Sequence, residues 1–333
     1  MTVLSLATLT ETARRVLLAA GTEAGSAAIV ADALVAADAD GIASHGVARL
    51  PAYADQVRSG KVDGDARPVV RRTAAATLAV DAADGFAFPA VRLGLAAAAD
   101  LAPETGIVAV GVHRSHHFGV AGHHVERLAE RGLVGLAFTN SPAALAPWGG
   151  HRPIYGTNPI AFACPRRGAP PLVIDLSLSK VARGRIMVAA QKGEPIPEGW
   201  AVDSTGRPTT DAAAALAGTM LPLGDAKGAA LALMVELLAA GLTGGNYGWE
   251  AGSFFTADGS KPRIGHLFIA IHPPALAGEG FLERVEVLLG AVLGQEGVRL
   301  PGDRRLAARA RAAAEGVSIP DALAAELSRR AAA

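Results

Sequence analysis

Ile107-Val108-Ala109-Val110-Gly111-Val112 runs into His113-Arg114-Ser115-His116-His117-Phe118-Gly119, and from Val120 the chain reads as a helix to Arg131. A short apolar run bounded by turn residues is a strand, so this segment is strand, turn and helix. A Rossmann domain would carry G-x-G-x-x-G at such a junction, and a P-loop would carry its lysine. Neither pattern occurs in the chain. Any phosphate bound here is held differently, and the helix start after Gly119 is a place for one.

Outward from that junction, strands and helices come in mixed order, which sets the class as α/β in the mixed α+β sense. Strands are expected at Thr77 to Val80, Ile107 to Val112, Leu133 to Thr139, Ile160 to Cys164, Leu172 to Leu176 and His266 to Ile271. Helices are expected over Ala27 to Asp40, Ala87 to Leu101, Val120 to Arg131 and Lys227 to Leu242. The first 60 residues read as helical, opening with Thr8-Leu9-Thr10-Glu11 as a capping signal. Ser141 to Pro159 and Lys192 to Pro222 are rich in Pro and Gly and read as irregular segments walling a site.

Composition narrows the function. Half of the 333 residues are hydrophobic, so the chain can bury a large core. Its 31 Lys and Arg balance 31 Asp and Glu, without a basic cluster, which argues against nucleic acid and anionic membrane surfaces. A small molecule is the expected partner. Cys164 is the only cysteine and makes no internal disulfide; with no signal peptide, the expected location is the cytosol. No apolar run is long enough to span a membrane.

Ser44-His45-Gly46-Val47-Ala48-Arg49 holds the most chemistry in one place. Gly41 stops the preceding helix, and a second helix starting near Val47 would put His45, Arg49 and Tyr53 on one face. Pro51 is compatible only if it lies in the first turn. An imidazole is a proton donor of suitable pKa, and a guanidinium is a bidentate clamp for a carboxylate. Ser44 next to His45 does not make a nucleophile, because adjacent residues rarely adopt a triad geometry and no G-x-S-x-G elbow exists.

Five of the nine histidines lie between His113 and His124. A metal is not expected, since the block lacks helical i, i+4 pairing, carboxylates and cysteines. Capping or surface histidines, or a proton-transfer group, remain the readings. Three more segments suit an anion or dinucleotide: Thr139-Asn140-Ser141, Asp175-Leu176-Ser177, and Gly224-Asp225-Ala226-Lys227-Gly228. Asp175 suits ribose hydroxyls or a helix cap. Lys227 at a helix head opposes the dipole unless an anion offsets it. Arg304 and Arg305 add two guanidiniums near the C-terminus.

With these segments in order, the chain resembles the malate/L-lactate dehydrogenase family, which is unrelated to Rossmann-type lactate dehydrogenases. The matches run from Asp40-Gly41 and Ser44-His45-Gly46 with Arg49, through Ser115 to Gly122, Pro147-Trp148-Gly149-Gly150 and Gly156-Thr157-Asn158-Pro159. They continue through Asp175-Leu176-Ser177, Ala182-Arg183-Gly184, Pro197 to Asp203, Leu221 to Gly224 with Lys227-Gly228, and Leu300-Pro301-Gly302. The resemblance implies hydride transfer between NAD or NADP and a small 2-oxo or 2-hydroxy acid. It also implies a non-Rossmann cofactor domain with a largely antiparallel sheet, helical terminal segments in a second domain, and a homodimer.

By position, the resemblance implies that His45 is the proton donor, Ser44 a relay behind it and Arg49 the carboxylate clamp. His117 matches a histidine that accepts the proton in some members, so two histidines compete for one role. The implied cofactor contacts are His117, Phe118, Gly119, Val120, Ala121, Asn140, Asp175, Leu176, Ser177, Lys227, Arg304 and Arg305. The implied division is 1-75 as a helical segment with the catalytic residues, 76-115 with 266-333 for substrate and dimerisation, and 116-265 for the cofactor. Imine-reducing members carry an acid after Ala-Arg-Gly where this chain has Arg185, which leans toward an oxo acid. The alternatives are a cyclic imino acid reductase, a dinucleotide-binding protein without turnover, and a metallohydrolase built on the histidines.

Overall fold

The structure, a computed structural model, describes residues 1–332. From the N-terminus, β1 (Thr2–Leu4), α1 (Leu6–Ala19), α2 (Ala24–Ala39) and α3 (Leu50–Arg58) precede the sheet. Ser5 caps α1 by accepting from Thr8 N at 3.1 Å, one turn before the expected capping signal. The sheet region holds β2 (Val69–Ala74), β3 (Thr77–Asp81), α4 (Ala87–Thr105), β4 (Ile107–Ser115), α5 (Ala121–Glu130), β5 (Val134–Thr139), β6 (Ile160–Cys164) and β7 (Leu172–Leu176). Then follow α6 (Arg183–Lys192), β8 (Ala201–Val202), β9 (Pro208–Thr209), α7 (Ala212–Ala217), β10 (Thr219–Met220) and α8 (Ala226–Glu236). The chain closes with β11 (Ile264–Ile271), α9 (Pro274–Ala277), α10 (Phe281–Leu293), α11 (Asp303–Glu315), β12 (Val317–Ile319) and α12 (Asp321–Ala331).

Seven strands form one sheet in the order β2-β3-β4-β11-β5-β6-β7. Only β3 and β4 run parallel, joined by the crossover helix α4; the other neighbours are antiparallel. The largely antiparallel sheet is the expected one. Its central strand β11 is buried along most of its length because both faces are covered. On one face α4 and α5 pack through Leu95, Ala98, Val125 and Leu128 onto Val80, Val110 and Phe268. Gly94 lets α4 approach closely, since a Cβ there would lie 2.8 Å from Val80 and 2.9 Å from Val110. The other face is covered by α8 and its π-helical continuation Leu237–Gly241, together with α6 and the segment 144–155.

A separate apolar cluster joins α1, α2 and α3 to the C-terminal end, with Leu9, Leu34, Leu50 and Tyr53 packed near Ile319 and Leu327. β1 pairs with β12, so the two ends of the chain close one helical unit. The boundaries expected at 115/116 and 265/266 need correction, because β4 and β11 lie in the same sheet as β5, β6 and β7. Sheet hydrogen bonding makes that region one body. The tract 192–222 also differs from expectation: it folds into the three-stranded sheet β10-β8-β9 around α7.

Candidate active site

The Ser44 to Arg49 stretch forms two 3-10 turns, Ala43–His45 and Val47–Arg49, separated by Gly46. The continuous helix expected from Val47 instead begins at Leu50, with Pro51 in its first turn. The break has a physical cause. The Asp38 carboxylate occupies the space a Cβ on Gly46 would need, and it accepts from Val47 N at 2.7 Å. Burial raises Asp38 to about 6. Asp38 thus fixes the turn from beneath, a role hidden in the middle of a helical run of sequence.

The turn presents three of the expected site side chains. Ser44 Oγ lies 3.0 Å from His45 Nδ1, so the adjacent pair does meet, contrary to the expectation for neighbouring residues. Arg49 Nε donates to Ser44 O at 2.7 Å, which ties its side chain back to the same turn. Arg49 Nη1 is buried and has no hydrogen-bond partner among the described residues. A buried guanidinium N–H without an acceptor is a costly arrangement unless a ligand oxygen completes it.

The junction that opened the sequence reading supplies the second imidazole. His117 follows β4, and its ring centroid lies 5.3 Å from that of His45. Its Nδ1 is hydrogen-bonded to Tyr53 Oη at 2.6 Å, which brings the third residue of the expected face to the site through a neighbour. Burial, reinforced by the charges of Arg49 and His123, lowers His45 to about 4. His117 is held well below its ordinary value, mainly by burial and then by Arg49. Both rings are therefore neutral at pH 7, and an anion on Arg49 would remove part of the field that disfavours their protonation.

One wall comes from a segment that no local motif marks. Phe254 packs on His117 with centroids 5.0 Å apart, and the Arg49 guanidinium lies 4.5 Å from the Phe255 ring centre. Gln56 Nε2 holds this segment by donating to Phe254 O at 2.9 Å and Thr256 O at 3.1 Å. Gln56 Oε1 in turn bonds His116 Nε2 at 2.7 Å, so His116 positions the wall instead of facing the site. Three further histidines are committed elsewhere: His123 to Asp40, His124 to Phe118 O, and His266 between Thr139 and Ser115. Among the described residues, no three His, Cys, Asp or Glu side chains are grouped to hold a metal.

The expected cofactor residues divide by what they present. Phe118, Val120 and Ala121 are buried, with Phe118 stacked on His266, so the segment 117–121 offers backbone. Asp175 accepts from Gly122 N at 2.7 Å, and a Cβ on Gly122 would crowd it at 3.1 Å. Leu223 N donates to Leu178 O at 2.8 Å, which brings the head of α8 beside the segment that follows Asp175. Lys227 stands on that head, where Asp225 gives no side-chain cap. A carboxylate for ribose hydroxyls and an ammonium with free N–H groups for a pyrophosphate fit a nicotinamide dinucleotide.

Two of the expected contacts have side chains engaged within the protein. Asn140 is buried, donating to Glu236 at 3.0 Å and Asn246 O at 2.8 Å while accepting from Gly265 N at 3.2 Å. Its side chain braces the loops. Arg305 is engaged by Glu126 at 2.6 and 3.0 Å and by Asp40 at 3.2 Å, beside Arg309 on the same two carboxylates. It ties α11 to α5 and the end of α2, whereas Arg304 is exposed.

A neutral imidazole pair, an unsatisfied guanidinium and a dinucleotide ledge without a Rossmann fold define the class, a nicotinamide-dependent oxidoreductase acting on a small acid. The model of the malate/L-lactate dehydrogenase family matches residues 4–328, and the chain belongs to that family. It is 58% identical over 309 residues to the (2R)-3-sulfolactate dehydrogenase (NADP(+)) of Chromohalobacter salexigens, covering 93% of this chain and 92% of that one. It is 48% identical over 301 residues to the Delta(1)-pyrroline-2-carboxylate/Delta(1)-piperideine-2-carboxylate reductase of Pseudomonas aeruginosa, covering 90% of each. Among solved structures, the delta1-piperideine-2-carboxylate reductase of Pseudomonas syringae pv. tomato superposes with a TM-score of 0.93 at 41% identity, over 99% of this chain and 100% of that one. The sulfolactate dehydrogenase of Methanocaldococcus jannaschii gives 0.91 at 31%, over 99% and 96%.

Proposed function

We propose that this chain reduces an acyclic 2-oxo acid to its 2-hydroxy acid with NADPH, and runs the reverse oxidation, in the cytosol and as a homodimer. The observation that carries this reading is the buried, unpartnered Nη1 of Arg49 beside the His45–His117 pair. Arg49 binds the substrate carboxylate through its free edge while Ser44 O and Phe255 hold the other side of the guanidinium. His45 gives its proton to the carbonyl oxygen as negative charge develops there, and Ser44 orients the ring through Nδ1. His117 lies close enough to share the proton or to stack beside the substrate, with Tyr53 fixing its Nδ1 side.

The dinucleotide, which supplies or takes the hydride, would lie along the backbone of 117–121, Asp175 to Ser177 and Lys227. Preference for NADPH is supported by the NADP(+)-dependent relative at 58% identity. Dimerisation is supported by exposed apolar side chains along α8 and beyond it, Leu233, Leu237, Leu242 and Trp249. The relatives named for pyrroline and piperideine carboxylates keep a cyclic imino acid as the second reading.

The test follows nicotinamide absorbance with each cofactor against pyruvate, oxaloacetate, sulfopyruvate and the two cyclic imines. Faster reduction of an oxo acid with NADPH is the expected result. Preference for an imine overturns the acyclic assignment, and absence of turnover with every combination overturns the enzyme reading.

A further inference from the structure

The two imidazoles of the site are bonded differently at their Nδ1 atoms. His45 Nδ1 meets Ser44 Oγ at 3.0 Å, and Ser44 is exposed. A hydroxyl open to solvent accepts from Nδ1 or donates to it and completes its bonding with water. His45 is therefore free to carry its hydrogen on either nitrogen and to recover a proton through Ser44. His117 Nδ1 meets Tyr53 Oη at 2.6 Å, and Tyr53 is completely buried. Among the described residues, nothing else bonds that hydroxyl.

The number of hydrogens fixes the direction of this bond. Burial raises the Tyr53 pKa well above the ordinary phenol range, and burial with the charge of Arg49 keeps His117 neutral. Each partner then brings one hydrogen. Were the imidazole hydrogen on Nδ1, it would donate to Oη and leave the phenol hydrogen buried without an acceptor, an arrangement that folded proteins avoid. Turning the ring over would set a C–H against Oη and orphan the hydroxyl as well. The arrangement that satisfies both groups has Tyr53 Oη donating to Nδ1 and the imidazole hydrogen on Nε2. Phe254 and His45 pack against the ring, with centroids 5.0 and 5.3 Å away, and Nε2 has no partner among the described residues.

We infer that Tyr53 is a positioning residue that locks His117 in the Nε2–H tautomer, and that His117 is a fixed hydrogen-bond donor to the 2-oxygen of the substrate. This rests on the 2-oxo acid reading above and gives the two histidines separate roles. The charge of Arg49 acts on both rings, so a carboxylate bound there sets the adjoining carbonyl beside them. As hydride reaches C2, the carbonyl electron pair moves onto oxygen, and the proton that oxygen gains comes from His45. No bond to hydrogen breaks at His117. Its N–H meets the developing negative charge and stays on the ring, as a neutral imidazole can do.

Ring ¹⁵N NMR of the NADP-loaded protein at pH 7 reads the tautomer directly, with His117→Gln used to assign the signals. Wild type is expected to show a protonated Nε2 and a bare, hydrogen-bonded Nδ1, and Tyr53→Phe is expected to show a mixture of both tautomers. Kinetics separates the roles. Glutamine presents an N–H in place of Nε2–H but has no titrating group, so His117→Gln should keep kcat within about 10-fold of wild type, whereas His117→Met should lose about 100- to 1,000-fold. Tyr53→Phe should lower kcat about 3- to 10-fold with KM for the oxo acid within about twofold, since Arg49 still holds the carboxylate. The NMR arm needs no turnover: if no oxo acid is reduced, the tautomer is still read, and only the catalytic reading fails. A hydrogen on Nδ1 or an imidazolium in wild type, an unaltered tautomer in Tyr53→Phe, or equal losses in His117→Gln and His117→Met overturn the inference.

Discussion

Reduction by this site should slow steeply with rising pH, because His45 must be protonated to donate. Burial, helped by the charges of Arg49 and His123, brings its pKa to about 4. At pH 7 the protonated fraction is then about one in a thousand, and it falls tenfold for each further pH unit. With saturating reduced cofactor, kcat/KM for an oxo acid reports this free-site ionisation and should drop about tenfold per unit between pH 5 and 8. Oxidation needs the neutral imidazole, so its kcat/KM should stay flat across the same range. The assay is initial-rate nicotinamide absorbance in both directions in constant-ionic-strength buffers. His45→Gln should lose the slope and about 10²- to 10⁴-fold in rate. A flat reductive profile in wild type, or a slope that persists in His45→Gln, refutes the assignment of His45 as a donor with depressed pKa.

Three other outcomes follow from the same structure. Asp38, raised to about 6 by burial, disfavours folding once ionised, so its contribution to stability declines as pH rises from about 4 through 6. Asp38→Asn keeps an acceptor for Val47 N, and its stability relative to wild type should improve by about 2 kcal/mol between pH 4 and pH 8 in denaturant unfolding; a pH-independent difference contradicts this. Glu236 accepts from Asn158, Asn140 and Gly248 N, so Glu236→Gln turns an amide N–H toward donors and should cost about 3 kcal/mol, read as a lower Tm; an unchanged Tm counts against its bracing role. Lys227→Met should weaken NADPH binding about 10- to 100-fold by nicotinamide fluorescence titration, and an unaltered Kd would remove Lys227 from the cofactor ledge.

Legibility along the chain followed how local each feature's cause is. β6 and β7 span Ile160–Cys164 and Leu172–Leu176 as expected, since short apolar runs with turn residues at both ends need no distant partner to be recognised. β2 escaped the reading because Val69–Ala74 is an exposed edge strand and lacks a buried alternation. Ser44, His45 and Arg49 stood out because three polar, chemically capable residues cluster at a helix end. Tyr53 was expected on one helical face with them, whereas it meets His117 across the break at Gly46.

Phe254, Phe255 and Gln56 could not be found from their neighbours, because the wall exists only where residues about 200 apart in sequence meet. The internal partners of Asn140 and Arg305 were hidden for a related reason. An amide or guanidinium facing solvent and one braced against a buried carboxylate are spelled identically, and only the placement of Glu236, Glu126 and Asp40 distinguishes them.

By itself, the sequence determined the mixed class, the absence of a Rossmann phosphate loop, the family and the turn that gathers Ser44, His45 and Arg49. Each rests on local pattern or residue type, which short-range physics expresses without help from the rest of the chain. The tertiary structure alone decided that β11 inserts between β4 and β5, that His117 comes within 5.3 Å of His45, and which arginines lack a carboxylate. Those outcomes depend on how buried surfaces and charges find partners far along the chain, and burial and pairing are properties of the folded molecule.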